Sequence, residues 1–273
     1  MTARPLPPLF LHNSPLVLAL AQVRFSPVLQ METFLPQIQE RLRGTYPGFK
    51  EATSQEFLLS AEDGSIASRK RTRWLFVDQE ERQAVALTPD FVVLQTSQYS
   101  TFDAFAAQLH EVLGVVHEAA RIGFSERVGL RYVDRIVPKP DEKITDYVYE
   151  GLAGLPSTHL SAHGLQVSPT LGHYEVRAKT HMGGNLVIRT FERPRDDIRM
   201  PPGLEEQDIQ LPLTPSDRNT LLLDIDHFVH GRHSFDPDGL MDTAWKLHDY
   251  ADLAFRQSTT EHAMDAWGKN AAG

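Results

Sequence analysis

A chain of 273 residues with 41% hydrophobic and 23% charged side chains lies in the ordinary globular range and is long enough for one sizeable core or two fused modules. Its 36 acidic against 27 basic residues, a formal charge of −9, disfavour nucleic-acid binding by the surface as a whole, because phosphate affinity is supplied by neutralising cations. The absence of cysteine removes disulfides, thiolate metal sites, iron–sulfur clusters and cysteine nucleophiles together.

Residues 1–15 read as an irregular lead. They carry Pro5, Pro7 and Pro8 and no long apolar run, so neither a secretory signal nor a membrane span is expected, and the cytoplasm is the default compartment. Residues 16–25 form a nearly continuous apolar run, the pattern of a strand buried on both faces. Over 32–43, Phe34, Leu35, Ile38 and Leu42 fall at helical spacing, with Gly44 as a stop. Short β-rich runs follow at 56–60, 72–77, 83–87 and 91–96, divided by turn signals such as Glu62-Asp63-Gly64, and antiparallel hairpins are their simplest reading. The spacing of Phe102, Phe105, Leu109, Val112, Leu113 and Val116 predicts a helix over 102–122, capped by Ser100 or Thr101 and ended by Gly123.

The run 127–137 alternates. Val128, Leu130, Tyr132, Asp134 and Ile136 share one face, and Arg127, Arg131 and Arg135 the other, as in a half-buried strand. Asp134 is the polar exception on the apolar face. Beyond it come a short helical segment at 145–152 and strands at 159–168, 173–180 and 185–191. A long charged, proline-bearing loop at 192–217 interrupts the series, and loops of that length are usually functional or mobile. A β-rich run at 220–230, a long helix over 236–257 and a tail from 258 to 273 complete the chain.

Set side by side, 16–123 and 124–257 have the same order of elements: strand, helix, antiparallel strands, long helix. With Pro27 aligned to Pro138, the apolar positions Val17, Ala19, Ala21, Val23 and Phe25 match Val128, Leu130, Tyr132, Asp134 and Ile136. The expected class is therefore α+β, two pseudo-repeats fused into one unit, forming a curved antiparallel sheet with helices on one face. That order in duplicate resembles the topology of the TATA-binding-protein fold, an analogy of fold that carries no function. The stretch from Pro15 to Pro27, the Trp74-x-Phe76 strand, the 129–136 run, Asp224-Ile225-Asp226 and the helix with Leu247, His248 and Phe255 are also similar to a sporadically distributed family of bacterial proteins of about this length. That family has no assigned activity, so the resemblance implies a bacterial single unit and supplies no site residues.

The densest group of metal-ligand types is Asp224, Asp226 and His230, which share one face of a strand and suit zinc, manganese or iron in a hydrolytic site. Their spacing matches no mechanistic metal motif. The competing reading pairs these aspartates with Arg127, Arg131 and Arg135 if the strands are neighbours; if the strands are apart, the arginines form a basic sector and the aspartates an acidic one, a binding surface for a polar partner. Arg69, Lys70, Arg71 and Arg73, with Trp74 and Phe76 beside them, are the mix expected of a nucleic-acid contact or of a charged hairpin rim over core aromatics. Gly183-Gly184 reads as a hairpin turn rather than a phosphate loop, no Gly-x-Ser-x-Gly elbow is present, and His110 and His117 sit in a helical pattern.

With no coherent nucleophile or cofactor fingerprint, the expectation is a non-enzymatic binding or assembly protein that engages a protein, a second copy included, or a polar ligand through the open sheet face or the 192–217 loop. The alternatives are a metal-dependent hydrolase or nuclease at Asp224, Asp226 and His230, and a nucleic-acid binder using the 69–73 hairpin. No cofactor beyond that divalent metal, and no membrane partner, is expected. Asp134 is set apart: beside a cation it is a structural ion pair, and in an open pocket it marks a site.

Overall fold

The computed structural model describes residues 6, 7, 9–59, 66–154, 172–205 and 208–269, and the side chains of all of these but 54–59 and 66–71. Among the described residues the strands are β1 (Leu16–Phe25), β2 (Gly48–Leu59), β3 (Ile66–Val77), β4 (Gln83–Leu87), β5 (Phe91–Thr96), β6 (Phe124–Ile136), β7 (Gly172–Lys179), β8 (Asn185–Arg193) and β9 (Thr220–Ser234). They form one open sheet in the order β2-β3-β4-β5-β1-β6-β9-β8-β7, with every neighbouring pair antiparallel. The helices are α1 (Met31–Leu42), α2 (Phe102–Ala120), α3 (Glu150–Ala153), α4 (Pro237–Ser258) and α5 (Glu261–Ala266). None is long and apolar enough to cross a membrane.

The β4 and β5 bounds coincide with those read from the sequence. β2 and β3 are longer, pairing without a break from Gly48 opposite Val77 to Leu59 opposite Ile66. Backbone ladders need no apolar side chains, so a polar stretch such as 50–56 gives little periodic signal and still forms a strand. The helical segment expected at 145–152 divides into a 3₁₀ turn, Ile144–Asp146, and the single turn of α3. The strand expected at 159–168 lies outside the described residues. α2 ends earlier than Gly123, because Arg121 takes the left-handed cap at φ 49° and ψ 51°.

The pleat sorts the side chains as the alternation predicts. Ala19, Ala21, Val23 and Phe25 of β1, Val128, Leu130, Tyr132 and Ile136 of β6, and Leu221, Leu223 and Ile225 of β9 face the helices, where Leu109 and Leu113 of α2 and Ala244 and Leu247 of α4 close one continuous core. Val17 does not join its aligned partners. The register slips between Leu16 and Leu18 opposite Asp134 and Val133, and this bulge turns Val17 to the other face with Leu18.

That other face is not left open as expected. The connection from 194 to 219 crosses it and buries Met200, Leu204 and Ile209 against Leu18, Leu75, Val133 and Leu222. Polar contacts fix the loop at several points: Asp208 accepts from Arg73 at 2.7 Å and Gln95 at 3.0 Å, and the Gln210 amide donates to the Glu81 carbonyl at 2.6 Å. The loop and the sheet face, both offered by the sequence as contact surfaces, contact each other over this area because each carries apolar side chains that water would otherwise meet.

Candidate functional site

β6 and β9 are neighbours, so Arg127 and Arg131 meet Asp226 and Asp224 on the loop-covered face, while Arg135 lies opposite Leu222. Nε and Nη2 of Arg131 each donate to an oxygen of Asp224 at 2.7 Å, and Arg189 of β8 donates to the same carboxylate at 3.2 Å and to Glu175 at 2.6 Å. Arg127 donates to Gln22 at 2.8 Å, stands 3.7 Å from Asp226 and lies 4.4 Å over the Phe228 ring. Burial pushes the Asp226 carboxyl up while Arg127 and Arg131 pull it down, and burial lowers the guanidinium of Arg127. Arg135 is buried as well, which lowers its guanidinium in the same way. This is the cross-strand ion-pair ladder that competed with the metal reading. Asp224, wholly buried, already holds two guanidinium groups, whereas His230 is at the exposed end of the row with its ring edge-on to Phe228. Among the described residues no group of three or more His, Asp or Glu side chains is placed to hold a metal ion.

His227, on the helix-facing side, is a core histidine. Its Nδ1 donates to the Leu247 carbonyl at 3.0 Å, which leaves Nε2 to accept from the Thr180 hydroxyl at 3.1 Å, and burial lowers its pKa. In the basic run, Arg73 pairs with Asp208 and Trp74 and Phe76 are buried in the core; the side chains of Arg69, Lys70 and Arg71 lie outside the described residues. Between the ladder and the covering loop a cavity of about 240 Å³ remains, lined by Gln22, Arg127, Asp226 and Asp208 among others.

The larger concavity is on the opposite face. A pocket of about 830 Å³ opens where the lead, the N-terminus of α2 and the middle of α4 converge over the ends of β1 and β6. Each element supplies its residues for a local reason. In β6 the strand parity that buries Leu130 and Tyr132 carries Asp134 to the same face, directly opposite Leu16 at the β1 bulge. In α4 the stripe Ala244, Leu247 and Ala251 fills the core, so the adjoining stripe, Trp245, His248, Asp249 and Asp252, lies at its border and faces the pocket. In α2 the Thr101 hydroxyl caps the helix by accepting from the Ala104 amide at 3.2 Å, placing Phe102 and Asp103 at the rim. The lead is tied across the pocket's edge by Arg256, which donates to the Pro7 carbonyl at 2.6 Å, and by the pairing of Leu11 with Lys269.

The walls are aromatic and locked together. His248 stacks on Phe102 at 4.0 Å, Trp245 meets Phe102 edge-on at 4.5 Å, and Tyr99 meets Tyr132 edge-on at 5.9 Å. The Tyr132 hydroxyl and His248 Nδ1 are 3.1 Å apart, within hydrogen-bond distance, and burial lowers His248 to about 4, so its imidazole is neutral at physiological pH. Both phenols are raised by burial. Asp134, 3% exposed, has no hydrogen-bond or ion-pair partner among the described residues. Burial and the Asp224 charge beyond it raise its carboxyl to about 8. Asp249 is also raised, by burial and by Asp252, while Asp252 itself pairs with Arg256 at 3.0 Å.

No protein-family model matches the chain, and no curated protein is significantly similar to it. Of the pocket residues, the sequence singles out Asp134 and not the α4 stripe. The signal is present there, since an aromatic, a histidine and two aspartates at i, i+3, i+4 and i+7 form a second stripe that is neither apolar nor freely charged.

Proposed function

We propose that this chain is a non-enzymatic binding protein that holds a small ligand in the helix-side pocket, with Asp134 as its anchor. A single observation carries the reading: a carboxyl that is 3% exposed, without a partner among the described residues, lines a concavity of about 830 Å³. Its oxygens are not sealed from solvent, and a largely buried carboxyl that no donor among the described residues satisfies is open to a hydrogen bond from whatever occupies the concavity, the stronger where donor or acceptor is charged. Pockets of about 300–1,000 Å³ with apolar walls and a few converging polar groups are the usual form of ligand sites.

Within this reading the scaffold is two pseudo-repeats joined through β1 and β6, in a topology like that of the TATA-binding protein. The strand order supports it. From β1 outward the neighbours are β5, β4, β3 and β2, and from β6 outward they are β9, β8 and β7, so each half sets its last strand beside its first. The bulge in β1 falls at the junction of the halves, where Leu16 stands opposite Asp134.

The test is a melting-temperature screen of the full chain and its Asp134→Leu variant against a broad set of small molecules. At least one compound is expected to raise the wild-type midpoint and leave the variant's unchanged. A set in which every stabilising compound acts equally on both proteins would remove the reading.

A further inference from the structure

Resting on the pocket reading, we infer that the ligand is an organic cation: a protonated amine on a flat apolar body, its ammonium against Asp134 and its body along the Phe102, Trp245 and Tyr99 rings. The charge of the lining selects for it. Four carboxyl groups, Asp103, Asp134, Asp249 and Asp252, face the pocket; Arg256 at its edge pairs with Asp252, and among the described residues no lysine or arginine lines the pocket to answer the other three. A carboxylate ligand would add a like charge to a partly enclosed site, whereas an ammonium beside Asp134 favours release of the carboxyl's proton and pairs with the carboxylate that results. The N-terminus of α2 would by itself attract an anion, but Thr101 caps it and Asp103 occupies its first turn, so that attraction is already answered.

The rings point the same way. Faces of tyrosine and tryptophan carry negative potential and draw cations within about 6 Å of the ring centre. Trp245 at 38% and Phe10 at 50% are exposed, while Asp134 at 3% is buried, so the lining grades from solvent-exposed apolar rings to a buried acid. A ligand with its charge at one end and a flat body behind it matches that gradient. The ammonium could also belong to a lysine side chain of another protein; the depth of Asp134 and the size of the concavity favour a free small molecule.

The experiment titrates the full chain calorimetrically with tryptamine, with its alcohol tryptophol and its acid indoleacetate as matched bodies of different charge, and with an acetylated peptide carrying one lysine. Tryptamine is expected to bind about tenfold or more tighter than tryptophol, and indoleacetate weakest, as a charge-assisted bond to Asp134 requires. Asp134→Asn should lose about tenfold for tryptamine and leave tryptophol unchanged. Asp249→Asn, a second variant at the wall, should lose severalfold for tryptamine alone. Tryptophol or indoleacetate binding as tightly as tryptamine, or equal tryptamine affinity in both variants and wild type, overturns the cation and leaves the pocket reading intact. Peptide binding tighter than tryptamine overturns the small-molecule source. Failure of all the probes overturns this ligand class, and the separate screen with Asp134→Leu then decides whether the pocket reading falls with it.

Discussion

Asp134 concentrates the chemistry of this molecule in one side chain. Burial and the nearby Asp224 raise it from an ordinary 3.8 to about 8, so the folded chain retains a proton that the unfolded chain releases above about pH 4. The stability this group contributes is therefore complete below its unfolded value and is lost as pH rises toward about 8, at up to about 1.4 kcal/mol per pH unit. Asp134→Asn removes that dependence, so the gap between variant and wild-type melting midpoints should widen in the variant's favour as pH rises from about 5 to about 8. The other titratable groups around the pocket, His12, Tyr99, Asp103, Tyr132, His248, Asp249 and Asp252, are common to both proteins. Parallel pH profiles would show that the carboxyl has a partner. Asp224 presents the opposite case, a carboxylate with no exposure that receives Arg131 and Arg189. Removing it strands two guanidinium groups, and Asp224→Ala should cost about 3–5 kcal/mol by denaturant unfolding. A loss below about 1 kcal/mol would show that the ladder is solvated like a surface pair.

At the scale of elements, the strands and helices with strong apolar periodicity were legible: β1, β4, β5, α2 and α4 lie within a few residues of the bounds read from the sequence, whereas the polar parts of β2 and β3 did not show. What periodicity could not give is where an element without it goes. The sequence reads 192–217 as a long functional or mobile loop; in the fold the connection from 194 to 219 is docked on the sheet by Met200, Leu204 and Ile209. Ile209→Ala should destabilise the protein by about 2–3 kcal/mol, as expected of a buried side chain, and should speed proteolytic cutting between 194 and 219. A cost near zero would mean the loop is not held by its apolar contacts. The end of α2 is a second local test. Arg121 is exposed and left-handed, a conformation that costs a side-chain-bearing residue about 1–2 kcal/mol and glycine little. Arg121→Gly should raise stability by about 0.5–1 kcal/mol, read as a higher melting midpoint; a lower one would place a needed contact on the arginine.

For the whole molecule, β1 pairs with β6 along nearly its full length, and one helix-side core runs through both halves of the chain. Neither half can bury its inner strand alone, so unfolding should be one cooperative transition, with calorimetric and van't Hoff enthalpies in agreement. Two resolved transitions would show that the halves are separable domains. The sequence by itself determined the class of fold, the faces of the strands apart from Val17 at the β1 bulge, and the place of Asp134 as the polar residue on an apolar face, because strand parity is a local property of alternating side chains. Only the tertiary structure decided what each polar group meets. The adjacency of β6 and β9 turned Asp224 and Asp226 into partners of arginines, and the convergence of the lead, α2 and α4 over the β1 bulge left Asp134 facing a pocket with no cation beside it among the described residues. Charge neutralisation depends on distances of a few ångströms between residues far apart in the chain, and those distances are set by packing.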